Sequence, residues 1–175
     1  MNMRIILYIL LSIFVAGNVL TEWRNRKTLP WMTNPMSAYL AYVPWAWMQD
    51  LGFLALIIAL FLLSVGLSLS QLPFVVGACA LFLVVLTKYL QPTDAKQQAL
   101  IRNVHDKSAA VAFTAVTAGI ILRTLHTWGL AKGAALAAIA VAFLFMRFAP
   151  KKTELEEKTV TACIIIALYA LSSHL

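Results

Sequence analysis

The sequence is poor in charge. Only 12% of its 175 residues are Asp, Glu, Lys or Arg, and the acidic ones are the scarcest, seven against fourteen Lys and Arg. A soluble globular domain has about 25% charged residues and about 45–50% apolar residues. This chain is 62% hydrophobic, with a mean hydropathy of +0.84. The composition therefore excludes an ordinary soluble domain, and it also excludes a disordered chain.

Cysteine and histidine are also scarce. The two cysteines, Cys79 and Cys163, each lie within an apolar run, and there are three histidines. Two cysteines are too few for a disulfide-rich secreted module, so we expect buried free thiols. Motifs of zinc proteases, serine hydrolases, P-loop proteins and dinucleotide-binding proteins are missing. The sequence thus indicates no cofactor and no metal site.

Long apolar runs fill most of the chain. A membrane-spanning helix needs about 20 predominantly apolar residues, and polar connections divide the chain into six such runs. The predicted fold class is all-α, an integral membrane bundle of six transmembrane helices forming a single domain over residues 1–175. The predicted spans lie at about 4–21, 51–69, 73–90, 108–125, 128–148 and 159–175.

Basic residues are distributed unevenly between the predicted loops. The first, third and fifth loops carry eleven Lys and Arg residues, and the opposite side carries three. By the positive-inside rule, these loops face the cytoplasm and both termini lie outside a cytoplasmic membrane. The first span imitates a signal peptide. Its cleavage would leave the basic loops outside, so we expect it to remain. The excess of basic residues suits the cytoplasmic face of a membrane protein, and we expect no binding to nucleic acid.

A polar helical segment precedes the fourth span. Thr93 or Asp94 can cap this helix, and Gln97 stands three positions after Asp94, as in a capping box. The helix is predicted to begin in the polar stretch 95–107 and to project beyond the hydrocarbon layer before it becomes apolar.

The side chains that could take part in catalysis or binding lie on the basic side of the predicted bundle. His105 is either a general base or single metal ligand, or an interfacial histidine bonded to a neighbour. Asp94 is either a carboxylate partner or cation ligand, or a helix cap. It lies eleven residues before His105 on one helix, about 16 Å away. Ser37 is a nucleophile, a headgroup donor or a helix cap. These three are the candidate catalytic residues.

Four further polar residues on this side are candidate binding residues. Glu156 and Glu157 either neutralise a cation across the helix ends or complement the dipole of the sixth helix. The candidate binding residues are Asn34, Asn103, Glu156 and Glu157.

Several short motifs occur in a familiar order. Asn-Pro-Met-Ser-Ala-Tyr-Leu follows the first span, Thr93-Asp94 follows the third, Asn103-Val104-His105 opens the fourth and Glu156-Glu157-Lys158 opens the sixth. In this order the chain resembles the six-helix prokaryotic membrane family filed as domain of unknown function 998, and more distantly the Frag1/DRAM-type membrane proteins. The resemblance implies a six-helix fold. It also implies a recurring Ser, Asp and His at the helix ends, corresponding to Ser37, Asp94 and His105, but no established reaction.

Three functions stay open at this point. The leading hypothesis is a protein that binds, senses or modifies a membrane lipid or other amphiphile at the polar helix ends on the cytoplasmic side. The second is a non-catalytic accessory subunit of a larger membrane complex, and the third is a small transporter or channel. Whether the chain is an enzyme, and whether its partner is a second copy or another membrane protein, is left open.

Overall fold

A computed structural model of the protein describes residues 2–27, 45–65, 71–125, 129–148 and 153–172. Within these residues the chain forms six α-helices and no β-strand, which confirms the all-α prediction. The helices are α1 (Met3–Asn25), α2 (Ala46–Leu63), α3 (Leu72–Thr87), α4 (Ala95–Thr124), α5 (Leu130–Phe148) and α6 (Thr153–Ser172).

The α1 helix extends four residues past the predicted end of the first span, and its polar residues bond to the backbone of their own helix. Asn18 Nδ2 donates to Phe14 O at 2.8 Å, and Thr21 Oγ1 donates to Gly17 O at 2.8 Å. Side chains bonded in this way can lie on a buried helix face, and both are buried here.

The α4 helix has 30 residues and begins where the capping box predicts. The Asp94 carboxylate accepts from Gln97 N at 2.7 Å, and Gln97 Oε1 accepts from Thr93 N at 3.1 Å. Residues 91–100 are all exposed, so the first turns of α4 extend beyond the neighbouring helices.

Five helices form a closed ring. In order around it, α1, α2, α3, α4 and α6 each contact the next, and α6 contacts α1 again, whereas α5 packs on the outside against α6 and α4. The end of α3 meets the start of α2, and the end of α1 meets the start of α6, so these neighbours are antiparallel. We call the end of the ring that contains Glu22, Asp50, Lys88 and Lys158 the basic end, and the opposite one the far end.

Glycines let α1 and α2 approach closely near the basic end. A Cβ atom on Gly17 would meet the carbonyl oxygen of Met48, and a Cβ atom on Gly52 would lie 3.1 Å from Phe14 O. Small residues permit such backbone-to-backbone packing between helices. The crossing positions polar residues of both helices opposite each other.

Among the described residues, two helices, α1 and α2, are long and apolar enough to cross a membrane. The α3 helix and the apolar parts of α5 and α6 are shorter. Cys163 is buried as predicted, but Cys79 is exposed on the outer side of α3. Because α3 is apolar on every face, its sequence pattern does not indicate which face turns inward.

Candidate functional site

A cavity of about 260 Å³ lies inside the ring. Its described lining comes from α1, α2, α3, α4 and α6, and it is mostly apolar, with Phe14, Leu60 and Leu168 among the lining residues. Three lining residues are polar: His105, Asp106 and Thr161. An apolar chamber with a few polar groups at one end is the usual form of a small-molecule site.

His105 is half-buried on α4 and is held by the end of α3. Its Nδ1 lies 2.9 Å from Thr87 Oγ1, and that hydroxyl donates in turn to Val84 O at 2.6 Å. Thr87 itself is buried. The histidine is therefore bonded to a neighbour, as one of its two sequence interpretations requires, and it also lines the cavity.

Thr161 lies in the third turn of α6 and borders the cavity. The residue is only 9% exposed, and its Oγ1 is buried without a hydrogen-bond partner among the described residues. A buried hydroxyl without a partner costs free energy, about 1–3 kcal/mol. Asp106, by contrast, is exposed at the rim of the cavity.

An ion pair joins α2 to the end of α3 beside this site. Lys88 pairs with Asp50 Oδ2, and Tyr89 Oη donates to the same oxygen at 2.8 Å. The hydrogen bond to the Asp50 carboxylate, together with partial burial and the negative charge, raises the pKa of Tyr89. The other oxygen, Asp50 Oδ1, is buried with no hydrogen-bond partner among the described residues.

A second ion pair and a buried amide pair complete the basic end. Lys158 Nζ lies 3.1 Å from Glu22 Oε1, which joins α6 to α1. Gln49 is fully buried, and its Nε2 donates to Asn18 Oδ1 at 2.8 Å. These contacts tie the helix ends together around the cavity.

Exposed cations and indole rings cover the outer surface of the basic end. The Arg24 guanidinium lies 5.0 Å from the Trp23 ring centre and 5.1 Å from that of Trp45, and Arg26 lies 5.4 Å from the Trp23 ring centre. Interfacial aromatic residues and snorkelling arginines have this arrangement at membrane surfaces.

The structure separates the predicted catalytic residues. Asp94 caps α4, and the helix is continuous from there to His105, so the two are about 16 Å apart at 1.5 Å per residue. Asn103 is exposed on α4 and does not line the cavity. Ser37 and Asn34 lie outside the described residues. Glu156 and Glu157 belong to the first turns of α6, and their side chains also lie outside the described set.

Several polar residues of the basic end are not predicted as site residues from the sequence. Thr87 and Thr161 look like ordinary helix residues, and nothing in one sequence pairs either with His105. A signal does exist on α1. Asn18, Thr21 and Asn25 recur at intervals of three and four, which places all three on one helix face, and all three are buried. The missed residues that shape the site or its surroundings are Asn18, Thr21, Glu22, Gln49, Asp50, Thr87, Lys88, Lys158 and Thr161.

In comparisons with known proteins, no family model, no curated protein and no solved structure matches the chain. The resemblance to the family filed as domain of unknown function 998 stays a prediction.

Proposed function

We propose that the protein is a six-span membrane protein that binds the apolar chain of a lipid or other amphiphile in its central cavity, with the head group at the basic end. One observation carries the proposal: the cavity is apolar over most of its described lining, and its polar residues belong to the basic half of the ring.

The outer surface of the ring supports a membrane location. Every helix exposes large apolar side chains outward, whereas soluble monomers rarely expose contiguous apolar patches above a few hundred Å². The 16 residues of α3 correspond to about 24 Å, which spans a bilayer with local thinning. Representative outward residues, one from each helix, are Ile9, Ile58, Phe82, Val111, Phe143 and Ile166.

The charge distribution supports an orientation. Arg24, Arg26, Lys88 and Lys158 all belong to the basic end. This end faces the cytoplasm of a cytoplasmic membrane, and both termini lie outside. A reporter enzyme that is active only outside the cytoplasm, fused to the carboxyl terminus, is expected to be active. A silent reporter in a stably expressed fusion would reverse the orientation.

The cavity lining favours amphiphile binding over transport of a polar solute. Beyond its three polar residues the described lining is apolar, which suits an acyl chain and opposes a continuous polar path. Each buried methylene contributes about 0.8 kcal/mol, so a chain in this cavity gains affinity with length until the cavity is full. The proposal is a binding function and includes no catalytic step.

Adjacent alanines on α4 provide the test. Ala109 is half-buried and lines the cavity, whereas Ala110 is exposed on the outer side. The full chain is purified in mild detergent, its bound lipid is identified by mass spectrometry, and binding of a fluorescent acyl probe is titrated. Ala109→Phe fills the cavity and is expected to weaken binding at least about tenfold, while Ala110→Phe stays within about twofold.

The opposite result is equally clear. If the wild-type protein retains no lipid and shows no saturable probe binding, the proposal fails. Equal loss in both variants at unchanged thermal stability would also contradict it. The accessory-subunit hypothesis instead requires a stably co-purifying protein and tolerance of Ala109→Phe.

A further inference from the structure

The hydrogen bonds of Thr87 determine the tautomer of His105. A threonine hydroxyl has one proton, and a carbonyl oxygen can only accept. The 2.6 Å contact between Thr87 Oγ1 and Val84 O therefore uses that proton. At the 2.9 Å contact with His105 the hydroxyl oxygen must accept, so His105 Nδ1 carries the hydrogen. In the neutral ring the lone pair then belongs to Nε2, which has no hydrogen-bond partner among the described residues.

The other polar groups of the cavity can also accept a hydrogen bond. Asp106 is a carboxylate and only accepts when ionised, and Thr161 Oγ1 can both donate and accept. Thr161 is nine-tenths buried and its hydroxyl has no partner among the described residues, so the cavity contains a polar contact that a ligand can satisfy. His105 Nε2 and the Asp106 carboxylate accept hydrogen bonds, and Thr161 Oγ1 can donate or accept. This set matches a head group that donates hydrogen bonds.

The basic end does not supply a cation to the cavity. The described lining includes no Lys or Arg. Two lysines of the basic end are engaged in ion pairs, Lys88 with Asp50 and Lys158 with Glu22. A phosphate or carboxylate head would meet two acceptors and no positive charge in the described lining, because Arg102 and Lys107 are exposed on α4 outside it. The net charge of +7 of the whole chain therefore does not represent the described lining.

A cationic head is disfavoured for a different reason. Asp106 is exposed at the rim, and Arg102 and Lys107 flank it on α4, also exposed. These two positive charges offset the attraction that the single carboxylate exerts on an ammonium group.

We propose that the cavity selects an amphiphile with a neutral, hydroxyl-bearing head group, such as the glycerol of a monoacylglycerol, over anionic and cationic heads. This inference rests on the proposed amphiphile site. A head-group hydroxyl donates to His105 Nε2, and a second oxygen of the head accepts from Thr161 Oγ1. Thr87 is a positioning residue that keeps the lone pair of His105 on Nε2.

The test compares four competitors that share one saturated chain and differ in the head group. Monolauroylglycerol, laurate, dodecyl phosphate and dodecylamine displace the fluorescent acyl probe from the purified full chain in mildly alkaline buffer, where imidazole is neutral. We expect monolauroylglycerol to bind about tenfold more tightly than each charged competitor, the effect of one or two net hydrogen bonds.

Variants assign the discrimination to residues. His105→Phe keeps an aromatic ring, and Thr161→Val keeps the shape of the side chain. Each variant is expected to weaken the binding of monolauroylglycerol about fivefold and to change the binding of laurate by no more than about twofold. Thr114→Val, an exposed change on α4, is the control and should alter neither.

A spectroscopic readout tests the positioning role of Thr87. In nitrogen-15 NMR of the imidazole, the wild-type protein should show a protonated Nδ1 and a bare Nε2. Thr87→Val should redistribute the tautomers and reduce the preference for the neutral head without abolishing probe binding. An unprotonated Nδ1 in the wild-type protein would overturn this step.

The outcomes separate this inference from the proposed function. If laurate or dodecyl phosphate binds as tightly as monolauroylglycerol while Ala109→Phe still abolishes probe binding, the cavity binds amphiphiles and the head-group inference is wrong. If dodecylamine binds most tightly, the charge of Asp106 determines the preference, and the inference of a neutral head group is again wrong. If no competitor binds and Ala109→Phe has no effect, the proposed function itself fails.

Discussion

The two ends of the helical ring differ in which polar atoms remain without hydrogen-bond partners and in whether those atoms border the cavity. At the far end, Tyr8 and Tyr169 stack with ring centres 5.6 Å apart, and Tyr169 Oη lies 2.6 Å from Ser12 Oγ. Arg123 donates to Leu63 O at 3.2 Å, which ties α4 to α2. These contacts join helices through paired groups, although Arg4 Nε near the start of α1 is buried with no hydrogen-bond partner among the described residues.

The basic end has more polar contacts, yet some of its polar atoms remain without partners. Ion pairs and buried amides join the helices there, but Thr161 Oγ1 and Asp50 Oδ1 are buried with no hydrogen-bond partner among the described residues. Stability alone does not explain such atoms, because each costs free energy. Binding sites commonly retain groups of this kind at the expense of stability. Of Arg4, Asp50 and Thr161, Thr161 alone lines the cavity, so the proposed ligand would meet its unpartnered hydroxyl from the basic end.

The largest expected effect comes from separating α1 and α2 at the basic end. In Gly17→Val the new side chain meets the backbone of Met48, which cannot rotate away. We expect a loss of about 3 kcal/mol or more in the free energy of unfolding, because overpacking against backbone also breaks the Asn18–Gln49 bond. Thermal unfolding in detergent measures it.

Gly133→Ala is the matched control for this change. Nothing lies within 4 Å of a Cβ atom at Gly133, which is also helical. The substitution is expected to stabilise α5 by about 0.5–1 kcal/mol through lower backbone entropy in the unfolded chain. A similar loss in both variants would contradict the close crossing of α1 and α2.

A pair of Thr→Val changes sharpens the comparison between the ends. Thr161→Val removes a buried hydroxyl without a partner and is expected to raise stability by about 1 kcal/mol in the ligand-free protein. Thr124→Val at the far end removes a hydroxyl that donates to Ile121 O at 2.6 Å, and it should lower stability by about 1 kcal/mol. If both substitutions change the free energy of unfolding in the same direction, in chemical or thermal unfolding, the proposed difference between the two ends is contradicted.

The smallest expected effect is a titration at the basic end. The Asp50 carboxylate raises the pKa of Tyr89, so the folded state favours the neutral phenol. This contribution to stability is fully present below the ordinary tyrosine pKa of about 10 and is lost as the pH rises through the higher folded pKa. Asp50→Asn should lower the pKa of Tyr89. The pKa of Tyr89 is measured from phenolate absorbance, with Tyr89→Phe as the reference. An unchanged titration in Asp50→Asn would show that Asp50 does not act on Tyr89.

Local sequence patterns suffice for the helices but not for their partners. The apolar runs predict six helices, and Asp94 with Gln97 predicts the start of α4, because both depend on residues a few positions apart. Beyond the predicted span, α1 includes the hydrogen bond from Asn25 Nδ2 to Thr21 O at 2.9 Å, a contact with its own backbone that hydropathy does not register.

The candidate site shows the same division. His105 was predicted from its place at the start of an apolar run, and it lines the cavity. The Asp94 that the sequence pairs with it lies three turns away along a straight helix, and the residue that bonds it, Thr87, belongs to another helix. Such a pairing depends on how α3 crosses α4, which no periodicity within either helix specifies.

By itself the sequence determined that the chain is helical and apolar, where its helices lie and on which side its basic residues gather, because composition and spacing act along the chain. Only the tertiary structure decided that five helices enclose a cavity, that Thr87 orients His105 and that Thr161 faces the same space. Those facts arise from side chains far apart in sequence, brought together by close packing of helices at positions such as Gly17 and Gly52.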